Sequence, residues 1–384
     1  MKLTSHHKKI FLLFWIIGLI LWWFFLLSSY NYTISREIKE KIVRHPEDLP
    51  KPHIAKITSF WFQNIRADWY RLQTIQYIWG NAIGAEYKKY LYKILEIITT
   101  LNPYFEHPYT VGQLLLPSYS DRYENLSKEE QEKNINEGEK LGLLWVERFC
   151  DMSKIWKIEK EYKLQKLWTE DEYKDPCKYY EIPFYLAYIY FYYKKDPLKA
   201  SFYYKVASAN TEAPEWAKIM SAIMQGKWGE RIKSIFMFLS LARSFKSDDE
   251  VCTTFIWELE NIAWGIIQKK ITIDEKLVRS LEETQRKVFW PFEEKEEMKI
   301  LGDTNCRNYI HKSIREINLI YIENANERFK KDHNWFTARN AKWLFEEWYI
   351  KFLPTDYQQY SDYGMIYEYN EEIKRFDYQM GNYR

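Results

Sequence analysis

Seven histidines, at positions 6, 7, 45, 53, 107, 311 and 333, four cysteines and several adjacent carboxylate pairs are the residues of this chain that could hold a metal or move a proton. Their spacing argues against both uses. A zinc site on a helix needs two imidazoles on one face, as in H-x-x-x-H or H-E-x-x-H, and the sequence contains neither, so no metal is expected. No two cysteines form C-x-x-C, which removes a thioredoxin-type centre as well. The glycines assemble into neither G-x-G-x-x-G nor G-x-x-x-x-G-K-[ST], so no loop is set up to cradle a phosphate, and Gly226-Lys227-Trp228-Gly229 reads as a turn between two helices. G-x-S-x-G is absent. The pairs Glu129-Glu130 and Glu293-Glu294 sit in charge-rich stretches of the kind that form solvated helix faces. No nucleophile, general acid or general base can be nominated. The chain therefore reads as a binding protein rather than an enzyme, with no cofactor and no small-molecule substrate expected.

The elements that would position a binding surface are helices. Glycine and proline number only 12 each in 384 residues, too few for many strands joined by tight turns. The 56 basic residues nearly balance the 54 acidic ones and form no long block, so nucleic acid is not an expected partner. Aromatics supply 18% of residues, including 32 Tyr and 17 Trp, enough to fill a core first and line a peptide groove second.

Ile10–Leu27 carries no charge, and as a helix at ~1.5 Å per residue it spans about 27 Å, close to the hydrocarbon thickness of a bilayer. It exceeds the apolar core of a signal peptide and lacks a clean small-x-small cleavage pattern, so residues 1–30 are expected to be a cytoplasmic head and a retained transmembrane signal anchor. Lys2, Lys8 and Lys9 precede the run, and Arg36, Lys39, Lys41 and Arg44 follow it. A short basic head before a long domain places the bulk of the chain outside the cytoplasm. Residues 31–57, with prolines 46, 50 and 52, read as a stalk.

Beyond the stalk, Phe62, Ile65, Trp69, Leu72, Ile75 and Ile78 recur three and four apart and predict a helix from near Thr58 with that face in the core. Leu91, Ile94, Leu95, Ile97 and Ile98 repeat the pattern from Glu86 to Thr100. Cys150 and Cys177 bracket a Lys/Glu-rich insertion, 151–180. Two readings stand for them: a bridge closing that loop, stabilising by roughly 3.5 kcal/mol, or two packed thiols. Cys252 and Cys306 are packed thiols or a second pair.

Asn102-Pro103-Tyr104-Phe105 with Tyr109 and Gly112, then Phe184, Ala187 and Phe191 followed by Ala200, Tyr204, Ala207 and Pro214, resemble the tetratricopeptide repeat. The resemblance covers 58–245, with Leu91, Leu95 and Ile98 departing from the small-aromatic-small pattern and Tyr188 standing where a small residue is usual. It implies an α-solenoid of helix hairpins with a concave face that holds a protein or peptide. In that register His107, Thr110 and Leu114 of one repeat and Ile182, Tyr185, Ile189, Tyr192 and Tyr193 of another line the groove, or pack on a neighbouring helix.

The final region, 246–384, predicts a long helix from about Cys306 and two short strands around Tyr363–Tyr369. Phe329-Lys330-Lys331, Leu344-Phe345-Glu346-Glu347 and Leu353-Pro354-Thr355-Asp356 loosely resemble the carboxy-terminal segment of pseudopilins, with Asn334 in place of a glycine. The expected whole is mostly α: one transmembrane helix, a helical-hairpin solenoid, and a small carboxy-terminal helix with a β-hairpin. The two resemblances imply a membrane-tethered scaffold docking a protein in envelope, pilus or secretion assembly. The competing expectation is a self-associating structural protein whose groove is filled by its own carboxy-terminal segment.

Overall fold

The computed structural model describes residues 15–29, 46–82, 85–120, 124, 126–161, 163–244, 250–289, 306–355 and 365–380. These residues are mostly helical, and the one sheet among them is a two-stranded hairpin. The chain divides into two compact units, Met1–Gly138 and Glu139–Arg384. The division falls within the stretch 58–245, so its helices belong to two groups.

Helix α1, residues 15–29, is the described part of the apolar run, and its large side chains are exposed throughout. Residues 10–14 of that run lie outside the described residues. Among those described, no helix is long and apolar enough to cross a membrane.

The first unit is organised around α4, Lys88–Leu101, against which pack α2 (Pro52–Thr58), α3 (Gln63–Gly80) and α5 (His107–Leu115). Leu91, Ile94, Leu95, Ile97, Ile98 and Leu101 of α4 are all buried, each contributing roughly 1.5–3 kcal/mol. The last residues of the expected stalk are therefore folded: Leu49 and Ala55 are buried, and α2 rests on α4. Arg66 closes the end of α2 by donating to the Ala55 carbonyl (3.2 Å) and the Thr58 hydroxyl (2.7 Å), a cation at a helix carboxy terminus. Lys88, itself buried, pairs with Glu124 at 2.6 Å.

Helix α3 departs from its sequence reading. Phe62, just before it, and Ile65, Leu72 and Ile75 on it are exposed, with Trp69 and Ile78 half-buried. The side turned inward is Ala67, Tyr70, Gln73, Thr74 and Tyr77. The spacing of apolar residues identified an amphipathic helix correctly and its inner side wrongly. Ala67 allows α3 to approach α4 closely, the two tyrosines fill the gap, and the Thr74 hydroxyl donates to the Tyr70 carbonyl (2.7 Å), so the inward polar side is largely satisfied.

In the second unit, the end of α6 (Lys128–Phe149) leads to α7 (Met152–Lys160), α8 (Leu164–Thr169), α9 (Glu181–Tyr188), α10 (Pro197–Ser208), α11 (Glu215–Trp228) and α12 (Arg231–Ser244). Helices α9 to α12 pack each on the next. Ala200, Ala207, Ala217 and Ala222 have no exposed surface, and the Ser201 and Ser234 hydroxyls donate to the carbonyls of Ser221 (2.9 Å) and Ala222 (2.8 Å). Small residues are what close crossings require. The turn between α11 and α12 rests on Gly229 at φ 104°, where a Cβ would also meet the Arg375 guanidinium. The expected insertion folds back, α7 and α8 packing on α10 and α8 also on α12.

Helices α13 (Glu250–Ile267), α14 (Glu275–Phe289) and α15 (Cys306–Asp332) follow, and α12, α13 and α14 all pack on α15. The long helix expected from Cys306 stops at Asp332, where Asn334 and Trp335 take left-handed φ values of 51° and 67°. A short α16 (Ala341–Glu346) is capped by Asn340, whose side chain accepts from the Trp343 amide at 2.8 Å. Strands β1 (Met365–Asn370) and β2 (Arg375–Met380) form an antiparallel hairpin in the register Tyr367 opposite Tyr378, with Tyr367 and Phe376 fully buried.

The hairpin is held by charge as well as packing. Arg231, at the start of α12, is buried and donates to Glu316 (3.1 Å) and Glu323 (3.0 Å) of α15 and to the Phe376 carbonyl of β2. Lys227 pairs with the buried Asp377. Burial raises the Glu316 carboxyl, opposed mainly by Arg231, while the carboxylates of Glu316 and Glu323 keep the guanidinium charged despite its own burial. Arg231→Ala is expected to lower unfolding stability by about 3–5 kcal/mol in denaturant titration, the range for removing one partner of a buried pair. Arg231→Met combined with Glu316→Gln should lose clearly less than the sum of the single changes; additive losses would disprove the coupling.

Candidate functional site

Among the described residues no group of three His, Cys, Asp or Glu side chains converges as metal ligands do. His311 is buried between Gln285 (2.6 Å) and Arg315 (2.9 Å), and His333 stacks on Phe329 with centroids 4.0 Å apart. The features that remain are aromatic surfaces.

The larger unit carries one on α9. This helix does not end at Tyr188 but widens into a π-helical turn, Ile189–Tyr193, closed by the Lys194 amide donating to the Ile189 carbonyl at 3.0 Å. Lys195 then takes φ 54°, and Asp196 with Pro197 starts α10, the Asp196 carboxylate accepting from the Lys199 amide at 3.0 Å. A π-turn inserts one residue into the helical spacing and re-aims the side chains that follow. Here it places the Tyr188 and Tyr192 rings in parallel, 5.5 Å apart at 4°, with Tyr193 edge-on to both at 6.0 and 5.0 Å. Tyr192 is 52% exposed and Tyr188 is exposed beside it. Lys195 lies over the Tyr192 ring at 5.5 Å and pairs with Glu372, in the hairpin turn, at 3.1 Å.

Of the groove residues expected on this helix, the structure brings Tyr192 and Tyr193 together and leaves Tyr185 half-buried, one residue from the Phe184 ring. Ile182 and Ile189 have no exposed surface and cannot line a groove. The reason is the packing of α9 on α10: the aliphatic positions 182, 186 and 189 turn inward together, so the open side falls one position away, at Tyr188 and Tyr192. Tyr188, read from sequence as a departure from a small-residue position, is the residue that was missed. Its aromatic neighbours at 192 and 193 were the available signal.

Two supports fix this surface. Cys150 and Cys177 form a disulfide (S–S 2.05 Å) across a pair of antiparallel bridge residues, with the Lys178 amide donating to the Phe149 carbonyl at 3.0 Å, and so tie the approach to α9 to the end of α6. Cys306 is also disulfide-bonded, while the side chain of Cys252 lies outside the described residues. Glu139 of α6 accepts from the Tyr190 hydroxyl at 2.6 Å and from Lys194, and Tyr190 stacks on Tyr203. Burial alone would raise the Glu139 carboxyl, but those two hydrogen bonds outweigh it and hold it below the usual carboxylate range.

The smaller unit holds a second feature, a cleft of about 110 Å³ between α3, α4 and α5. Ile75, Ile78, Leu95, Ile98 and Val111 make it apolar, and Arg71 and His107 stand at it. Burial and the Arg71 charge lower the His107 pKa, so this imidazole is neutral at pH 7. Of the remaining expected groove residues, Thr110 is half-buried on α5 and Leu114 is exposed there, and neither lines the cleft.

No family model, no curated protein and no solved structure matches the chain.

Two measurements test the supports. Replacing Cys150 and Cys177 together by alanine should lower stability by about 3.5 kcal/mol on the loop-closure relation for a separation of 27 residues. A loss under about 1 kcal/mol would show that the bridge does not constrain the unfolded chain as that relation supposes. Because the folded Glu139 pKa is depressed, its contribution is present above the ordinary value of about 4.3 and is lost as pH falls through the folded value. Glu139→Gln should therefore be less stable than the parent at pH 7, with the gap narrowing below about pH 4 in acid titration; a constant gap would contradict the assignment.

Proposed function

We propose that this chain is a membrane-tethered helical scaffold that holds a protein segment on the tyrosine surface of its larger unit, without enzymatic activity. The observation that carries this reading is the cluster of exposed Tyr188 and Tyr192 with half-buried Tyr193 where α9 meets its π-turn, braced from behind by Glu139, Tyr190 and the Cys150–Cys177 bridge. Tyrosine offers apolar area and a hydroxyl while freezing few rotors, which suits recognition of an extended segment. The consecutive pairing of α9 to α12 across alanines supports a tetratricopeptide-like arrangement. The tether is the apolar run Ile10–Leu27, with the bulk of the chain outside the cytoplasm and its partner in envelope, pilus or secretion assembly.

One contact favours the second reading, in which the chain's own carboxy-terminal segment occupies this surface. Lys195, lying over Tyr192, is paired with Glu372 of the hairpin turn. The hairpin thus reaches the rim of the tyrosine cluster.

A photo-crosslinking amino acid at position 192 of the full chain in its membrane separates the two. The scaffold reading expects a discrete adduct of higher mass that Tyr188→Ala reduces at least several-fold while the helical signal is unchanged. An adduct only within the chain, relieved by Glu372→Lys, assigns the surface to the hairpin, and the absence of any adduct sinks the tyrosine surface as a docking site. Carbonate-resistant sedimentation with membranes, and protease attack on the chain from the non-cytoplasmic side alone, are expected of the tether.

A further inference from the structure

The outward side of α2 and α3 is the largest unexplained feature of the smaller unit. Ile57 of α2, Phe60, Trp61 and Phe62 of the connecting turn, and Ile65, Leu72 and Trp79 of α3 are all exposed, Trp61 at 97%, Trp79 at 79%, Ile65 at 66% and Leu72 at 55%. Phe60 adopts a left-handed φ of 47°, uncommon for an aromatic residue, in the turn that presents Trp61. On α3, Ile65, Leu72 and Trp79 recur seven apart and so share one side, with half-buried Trp69 and exposed Gln76 between them.

We infer that this face rests on the interface of a phospholipid bilayer, seating the smaller unit on the membrane beside the chain's own tether. Three observations select lipid over another occupant. Tryptophan, phenylalanine and isoleucine together are the mixture that settles at headgroup depth, with the indole N–H kept near water. The exposed residues also continue from the end of α2 through the turn into α3, and the most exposed of them, Trp61, stands at the turn rather than on a helix side, as a residue that inserts among headgroups would. Finally, the tether limits its distance from the membrane. Residues 30–45 join α1 to the first described residue of the unit, and sixteen residues reach at most ~55 Å even when fully extended. In the sequence of that segment Arg36, Lys39, Lys41 and Arg44 outnumber Glu37 and Glu40, and exposed Lys51 and Lys56 flank Ile54 and Ile57, a balance of the sign that anionic headgroups attract. The inference rests on the tether proposed above, and its test keeps the two apart.

The full chain is reconstituted into vesicles of phosphatidylcholine and phosphatidylglycerol, with a nitroxide on one introduced cysteine at a time, the native disulfides left intact. Trp61→Cys reports the turn, and Gln76→Cys reports the stripe without removing apolar area, since Gln76 is an exposed polar residue within it. Glu129→Cys, an exposed position elsewhere in the same unit, is the aqueous control, and Ile20→Cys reports the tether. Labels at 61 and 76 are expected to favour oxygen over a water-soluble nickel complex by roughly tenfold more than the label at 129, as interfacial burial of an apolar face requires. Ile65→Glu with Leu72→Glu should abolish that preference at 76 and leave it at 20.

Labels at 61 and 76 as open to nickel as the label at 129 overturn the inference. Shielding from both reagents also overturns it, in favour of a second copy where spin broadening disappears on dilution with unlabelled chain, and of protein cover from the same chain where it does not. A water-accessible label at 20 rejects the tether while the labels at 61 and 76 still decide the docking.

Discussion

A guanidinium carried into the interior of a helical body stays there only if anions and acceptors surround it, because transferring an isolated charge from water costs several kcal/mol even after relaxation. Arg231 meets that condition with groups from separate parts of the chain: Glu316 and Glu323 of α15 and the Phe376 carbonyl of β2. Each partner lies at least 85 residues away, so the contact forms only once the carboxy-terminal half has closed on α12. The arrangement determines more than stability. Arg231 follows directly from the Gly229 turn, and the same turn places Lys227 against Asp377. The hairpin is thereby fixed in register on the helical body, and its turn, carrying Glu372, is delivered to Lys195.

The tyrosine surface depends on this placement at one edge and on the Glu139 contacts at the other. Glu139, accepting from Tyr190 and Lys194, ties both ends of the π-turn to α6, beside the Asp196 amide bond to the Tyr190 carbonyl (2.9 Å) and the Tyr190–Tyr203 stack. Tyr190 points inward for the same reason that Tyr192 points outward: one inserted residue separates two faces that 3.6-residue spacing would have blurred. In the docking role proposed for this surface, rings already stacked at 5.5 Å would lose little freedom on contact with a partner.

What could be seen in the sequence was local. The scarcity of glycine and proline gave helices, the three-and-four spacing of Leu91, Ile94, Leu95 and Ile98 gave the buried side of α4, and the residues around Tyr367 gave a terminal hairpin, though they form β1 alone and its partner strand begins only at Arg375. The π-turn left no mark, because Ile-Tyr-Phe-Tyr-Tyr is as compatible with an α-helix as with the wider one, and the carboxylate that holds Tyr190 and Lys194 in it, Glu139, lies 51 residues before Tyr190. Ile182 and Ile189 were misplaced for a related reason: a helix rich in apolar residues on every side does not declare which side its neighbour takes. Arg231 could not be recognised at all, since a lone arginine at a helix start has no pattern of its own.

Helix α3 shows the same limit in a sharper form. Periodicity states that one side of a helix is apolar; it does not state which medium meets that side. In α4 the aliphatic side meets protein, whereas α3 turns Ala67, Tyr70 and Tyr77 to its neighbour and leaves Ile65, Leu72 and Trp79 outside. Leaving side chains of this size in water forgoes roughly 1.5–3 kcal/mol each relative to full burial, and several of them together approach the whole stability of an ordinary domain. Burying Gln73 and Thr74 while that stripe stays outside is the arrangement expected if the stripe has a competing place to go, which the proposed bilayer contact would supply.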